Sequence, residues 1–211
     1  MKTALTALAL ALAAGSVSAA TLTFDGVICG GVACGNGSAI DQTYGDITGQ
    51  VEVSYDADRN TAALQNVLHW SSGYETLTSV AYGNLGGGGM SIVFAAATGY
   101  DISLTGFDIA PYLDRPRNTL VQIIDLATNI SLVNVTYTPL SIAGITSYVG
   151  TWTSTVGLQI NLGPDAWDVG IDNIAYSAVL ESTVPVPIPL PATGLLLIGA
   201  LAGLGRLRRR A

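Results

Sequence analysis

The sequence predicts an all-β domain, an antiparallel β-sandwich of jelly-roll type, followed by a short C-terminal transmembrane helix. Three observations carry the sandwich. Residues 20–181 are rich in Thr, Val, Ile, Ser, Gly and Tyr and poor in Lys, Arg and Glu, which is the composition of strands. Apolar and polar residues alternate over short runs: Val51, Val53 and Tyr55 against Glu52 and Ser54, and Leu158, Ile160 and Leu162 against Gln159 and Asn161. Turn signals separate the runs at Asp56-Ala57-Asp58, at Gly86 through Gly89, at Asp114-Arg115-Pro116 and at Gly163-Pro164-Asp165. No run has the period of an amphipathic helix, and no short repeat points to a propeller or solenoid.

The chain opens with an export leader. Lys2 supplies a positive start, residues 4–14 are apolar, and Val17-Ser18-Ala19 offers small residues for a signal peptidase, so cleavage is expected between Ala19 and Ala20. Strands are then expected at 21–24, 50–55, 62–70, 91–95, 102–109, 119–126, 131–137, 147–153, 158–162 and 169–178. In the last of these the apolar positions are odd at Val169 and Ile171 and even at Ile174, Tyr176 and Ala178. One extra residue at Asp172-Asn173, a β-bulge, would keep both halves buried.

Cys29 and Cys34 are the only cysteines and flank the glycine pair Gly30-Gly31. In an exported protein they are expected to form a local disulfide, since neither zinc nor redox spacing is present. Net charge is −7 for the whole chain, but Lys2 and four of the seven arginines lie in the leader and tail. Arg59, Arg115 and Arg117 against fifteen acids leave the exported domain at −12. Such a surface repels phosphate backbones, so no nucleic-acid partner is expected.

The end of the chain divides into a Pro-rich spacer and motif at 182–192, an uncharged Leu, Ala and Gly-rich helix at 193–205 and a basic tail at 206–211. The helix is shorter than the roughly 20 residues of an ordinary membrane span. Arg206, Arg208, Arg209 and Arg210 would hold its end on the cytoplasmic side. The motif Ile188-Pro189-Leu190-Pro191-Ala192, the short helix and the arginine cluster together resemble the PEP-CTERM class of bacterial sorting signals, closest to its VPLPA form, with Ile in place of the first Val. The resemblance covers about the last tenth of the chain. It implies export by the general secretory machinery, recognition by an exosortase-type membrane protease, and a place at the surface or in the extracellular matrix of polysaccharide-producing bacteria. Leu190-Pro191-Ala192-Thr193-Gly194 also matches the sortase motif, which stands as the alternative for processing.

The domain also looks like the sandwiches found ahead of such tails. In carbohydrate-binding jelly rolls an early and a late acid often meet at a structural calcium. By that resemblance Asp25 and Asp172 are the candidate ligands, with Asp41 and Asp46 as loop contributors, and calcium is the only cofactor suggested.

No catalytic residues are expected. His69 is the sole histidine and no nucleophile elbow accompanies it, so a structural role is expected for it. Asp165 and Asp168 flank Trp167 and form the best local carboxylate pair, but sequence spacing does not set a carboxyl separation. Trp70, Tyr74, Tyr82, Tyr112, Trp152 and Trp167 are the candidates for stacking on sugar rings, with extracellular polysaccharide as the partner implied.

Overall fold

Alternation becomes sheet wherever the sequence displays it. The computed structural model describes residues 17–84, 88–137 and 144–181, all within one unit that ends at Glu181. Most of the leader, the sorting motif from Ile188 to Ala192, the helix expected at 193–205 and the arginines from Arg206 to Arg210 lie outside these residues. No helix among the described residues is long and apolar enough to cross a membrane.

The strands are β1 (Ser18–Leu22), β2 (Val51–Asp56), β3 (Leu68–Trp70), β4 (Val80–Tyr82), β5 (Met90–Ala96), β6 (Tyr100–Pro111), β7 (Thr119–Asp125), β8 (Ile130–Tyr137), β9 (Thr146–Ser154), β10 (Gly157–Pro164) and β11 (Val169–Leu180). They form an antiparallel β-sandwich. One sheet runs β2-β5-β10-β7-β8, and the other runs β3-β4-β11-β6-β9 with β1 also on β11. From β4 onward the chain changes sheet at every connection except the β7–β8 hairpin. The bond expected to be cut by signal peptidase lies inside β1, where Ala19 pairs with Ser177 and Ala20 with Tyr176.

Three strands differ from expectation, the first of them running Ser18–Leu22 rather than 21–24, with Phe24 in a left-handed conformation beyond its end. The segment expected at 62–70 is strand only over Leu68–Trp70. Its first part is instead wound about Asp56 and Asp58, whose carboxylates accept the N–H groups of Gln65 and Asn60. Strand β4 was not foreseen. All three of its residues are buried, so it has no alternation to read.

The inward faces make one core. Val51, Val53 and Tyr55 of β2 and Leu158, Ile160 and Leu162 of β10 are buried with Phe94, Ile102, Leu104, Ile109 and Ile123. On the outer side Asn161 pairs with Gln122 and Gln122 with Asn134, a polar row across three strands. Strand β11 slips register between Asp172 and Ala175, and Asn173 takes φ +53°. The bulge therefore sits where the change of apolar phase places it, and Val169, Ile171, Ile174, Tyr176 and Ala178 are all buried.

The long connection between β1 and β2 is held down by two buried phenols. Tyr55 donates to the Tyr44 carbonyl at 2.6 Å, and Tyr176 donates to that of Gly45. Burial pushes the Tyr176 hydroxyl up to about 12, so it stays a donor at any physiological pH. Gly45 has φ +95°, and a Cβ there would lie 2.5 Å from Leu22 Cδ2. Glycine is required at this position by both conformation and space.

Gly45→Ala is therefore expected to cost about 2 kcal/mol or more. Gly49→Ala, at φ +70° with open space around it, carries the conformational cost alone, roughly 1 kcal/mol. Urea unfolding of the two variants checks this, and equal losses would contradict the packing argument.

Candidate functional site

The aromatic residues at strand ends converge. Trp70 ends β3, Tyr82 ends β4, Tyr112 follows β6, and Trp167 lies between β10 and β11. Backbone bonds join these connections: Tyr112 N–H donates to the Asp168 carbonyl at 2.8 Å, Leu113 N–H to Gly73 at 2.7 Å, and Gly83 N–H to Ala166 at 2.7 Å. The result is a cleft lined by Trp70, Tyr74, Tyr82, Tyr112, Trp167 and Asp168. Its space, counted with the open mouth, is about 250 Å3. The cavity itself, about 50 Å3, is far below the roughly 300–1,000 Å3 of ordinary ligand pockets, so it is a shallow depression that takes the edge of one ring or the tip of a chain.

The rings brace one another. Trp70 meets Tyr82 at 6.1 Å and Tyr112 at 5.8 Å between centroids, and Tyr82 meets Trp167 at 5.3 Å, each pair at 83°. Tyr74 and Tyr82 are buried and form the floor, while Trp70, Tyr112 and Trp167 are half-buried. The indole N–H of Trp70 is buried without a protein acceptor. Beneath the cleft Tyr74, Leu77, Val80 and Ala110 form a small apolar cluster of their own. Gly73, at φ +82°, lets the Tyr112 ring approach, since a Cβ there would lie 2.7 Å from its Cε2. Glu75, Leu113 and Asp114 all take left-handed backbone conformations beside the cleft, an arrangement uncommon for side-chain-bearing residues.

Asp168 is held by Arg117, Nη1 to Oδ2 at 2.6 Å, and the same guanidinium reaches Asp165 at 4.0 Å. Asp165 in turn accepts the Asp168 N–H at 3.1 Å. Burial raises the Asp168 carboxyl above its ordinary value, against the pull of Arg117. The two acids flanking Trp167 thus share one cation and fix that loop.

Of the six aromatic residues singled out in the sequence, five line this cleft. Trp152 does not: it lies on β9, packed against the main core. The five share a legible property, since each lies at a strand end or in a connection next to turn residues. Which connections come together depends on strand order and cannot be read from the chain. Arg117, which orients Asp168, was not singled out at all.

The other candidates sit elsewhere. Cys29 and Cys34 form the expected disulfide, with Cα atoms 5.3 Å apart. Asp41 accepts the Gly30 N–H within that loop, and Asp46 accepts the Val53 N–H, so both hold backbone. His69 is buried between the Gly35 carbonyl, 3.2 Å from Nδ1, and Ser79 Oγ, 3.4 Å from Nε2, and ties the disulfide loop to the sheet.

Asp172 is buried at the bulge, accepts the Asn173 N–H at 2.7 Å, and feels the charges of Asp25 and Asp108. Burial, aided by those two acids, pushes its carboxyl up to about 7. Asp108 itself accepts from Ser147 Oγ and Asn173 Nδ2. Among the described residues no group of three or more His, Cys, Asp or Glu side chains is arranged to hold a metal ion.

No family model and no curated protein matches this chain. Among solved structures it is similar to the family 32 CBM from C. perfringens NanJ, determined in complex with galactose, at 8% identity and a TM-score of 0.31, over 61% of this chain and 93% of that one. A likeness at that score bears neither on the fold nor on the ligand.

The raised Asp172 carboxyl has a consequence for stability. Between the unfolded value near 4 and the folded value near 7, the native state binds more protons, so this group's contribution falls as pH rises. Asp172→Asn is expected to gain stability relative to the parent across that window with chelator present, measured by urea unfolding. A difference that stays flat with pH would contradict the assignment. Millimolar calcium at pH 7.5 tests the metal expectation in the same assay, through a stabilisation that the variant lacks.

Proposed function

We propose that this chain is a non-catalytic exported surface or matrix protein, sorted through its tail, whose sandwich binds carbohydrate in the aromatic cleft. The observation that carries the binding half is the convergence of Trp70, Tyr112 and Trp167, half-buried, over a floor of Tyr74 and Tyr82. Sugar rings offer flat C–H faces that pack on aromatic faces, and ring clusters fixed by their neighbours lose little entropy on binding. The strand order supports the jelly-roll form of the sandwich: β5-β10-β7-β8 lies in one sheet and β4-β11-β6-β9 in the other, with the chain passing between them.

The sorting half rests on the tail. The motif Ile188-Pro189-Leu190-Pro191-Ala192, the short apolar run and the arginines Arg206, Arg208, Arg209 and Arg210 support processing by an exosortase-type protease after secretion. The helix and arginines would hold the substrate while Pro191 and Ala192 are read. Calcium at Asp25 and Asp172 remains a separate, structural proposal.

Trp70→Ala and Trp167→Ala are each expected to weaken retention on the producing cell's exopolysaccharide about tenfold, the loss of roughly 1.4 kcal/mol of stacking. Trp152→Ala is expected to retain parental binding. Thermal melts of the variants separate lost binding from lost folding. Equal binding by all three, or none by the parent, would remove the carbohydrate reading.

For the sorting half, the intact mass of protein from the cell surface is expected to lack residues 1–19 and the chain beyond the proline motif. A mass ending at Thr193 would favour a sortase, and one retaining residues 193–211 would remove sorting altogether. Deleting the four tail arginines is expected to let unprocessed chain pass into the medium.

A further inference from the structure

We propose that the cleft selects sugar units carrying a protonated amine, as in a hexosamine glycan with free amino groups. This rests on the carbohydrate reading and narrows it to a ligand class.

Geometry gives the first argument. Trp70 meets Tyr82 and Tyr112, and Tyr82 meets Trp167, each at 83°, and all four rings line one small cleft. The face of each ring is the negative part of its quadrupole, and a cation within about 6 Å of such a face is attracted to it. A neutral sugar gains stacking alone, whereas an ammonium-bearing one gains stacking and this attraction together.

Charge gives the second. The β3–β4 connection contributes Glu75, the segment after β6 contributes Asp114, Arg115 and Arg117, and the β10–β11 connection contributes Asp165 and Asp168. Four carboxyl groups thus stand against two guanidiniums. One of those, Arg117, is taken up by Asp165 and Asp168. Glu75 directly follows Tyr74 and Asp114 lies two residues after Tyr112, and both acids are exposed. Only Arg115 offers an exposed positive charge there, within a domain that carries −12 and no lysine. Uronate or sulfated sugars would approach against that field, while amines approach with it.

The test titrates the exported protein with three short oligosaccharides, read by tryptophan fluorescence: a glucosamine trimer, its N-acetylated counterpart and a uronate trimer. At pH 6 and moderate salt the glucosamine trimer is expected to bind at least tenfold more tightly than the acetylated one, and the uronate trimer least. The advantage should fade as pH passes the amine's own value, about 8 by analogy with an α-amino group. The exposed double variant Glu75→Gln, Asp114→Asn should lose most of that advantage and keep the affinity for the acetylated trimer.

Equal or tighter binding of the acetylated or uronate trimer would overturn this inference and leave the carbohydrate reading standing. Undiminished glucosamine binding by Trp70→Ala would reduce the effect to ionic attraction outside the cleft and overturn it too. Binding of none of the three would remove both.

Discussion

The structure depends on how one long strand is kept buried. β11 pairs with β6 along its length, with β4 at Ile171 and with β1 from Ile174 to Ala178. A regular strand of this sequence would turn half of its apolar side chains to solvent. The bulge at Asp172 and Asn173 resets the phase, so that Val169 and Ile171 on one side and Ile174, Tyr176 and Ala178 on the other enter the same interior. The cost is a left-handed Asn173 and a carboxyl group held in a poorly solvated place. The bulge thereby sets the position of everything packed on β11, including β4 and the connection that carries Trp167.

The aromatic cleft is a product of that arrangement. Its rings come from separate connections, brought together where β3, β4, β6 and β11 lie side by side in one sheet. Backbone hydrogen bonds between the connections, the Arg117 clamp on Asp168, and Gly73 under Tyr112 fix the rings before any ligand arrives. Preorganisation of this kind is what allows a small contact area to yield useful affinity.

Much of this was legible in the chain, and the reasons differ from element to element. β2 and β10 alternate and were placed by that alone. The bulge was visible as a change of apolar parity at Asp172-Asn173. β4 was not visible, because three buried residues beside a glycine-rich stretch carry no period. The segment before Leu68 reads as strand by propensity, but Asp56 and Asp58 offer its backbone closer acceptors. At the site, residue types pointed to six rings, of which five line one cleft and Trp152 lies apart, since only sheet order decides which strand ends are neighbours. Asp41 and Asp46 each accept a backbone N–H, from Gly30 and from Val53, a role that residue type alone did not reveal. The tail is the reverse case: its message is entirely in the sequence and lies outside the described residues.

The central claim is that a glycan contacts the cleft and nothing else. The chain has three tryptophans, Trp70, Trp152 and Trp167, so an amide-proton NMR spectrum of nitrogen-labelled protein contains three indole signals. Titration with the producing cell's own oligosaccharides is the measurement that reads the claim most directly. The account predicts that the Trp70 and Trp167 signals move together and saturate at one concentration while that of Trp152 stays in place. Motionless Trp70 and Trp167 signals, or a shift confined to Trp152, would contradict it.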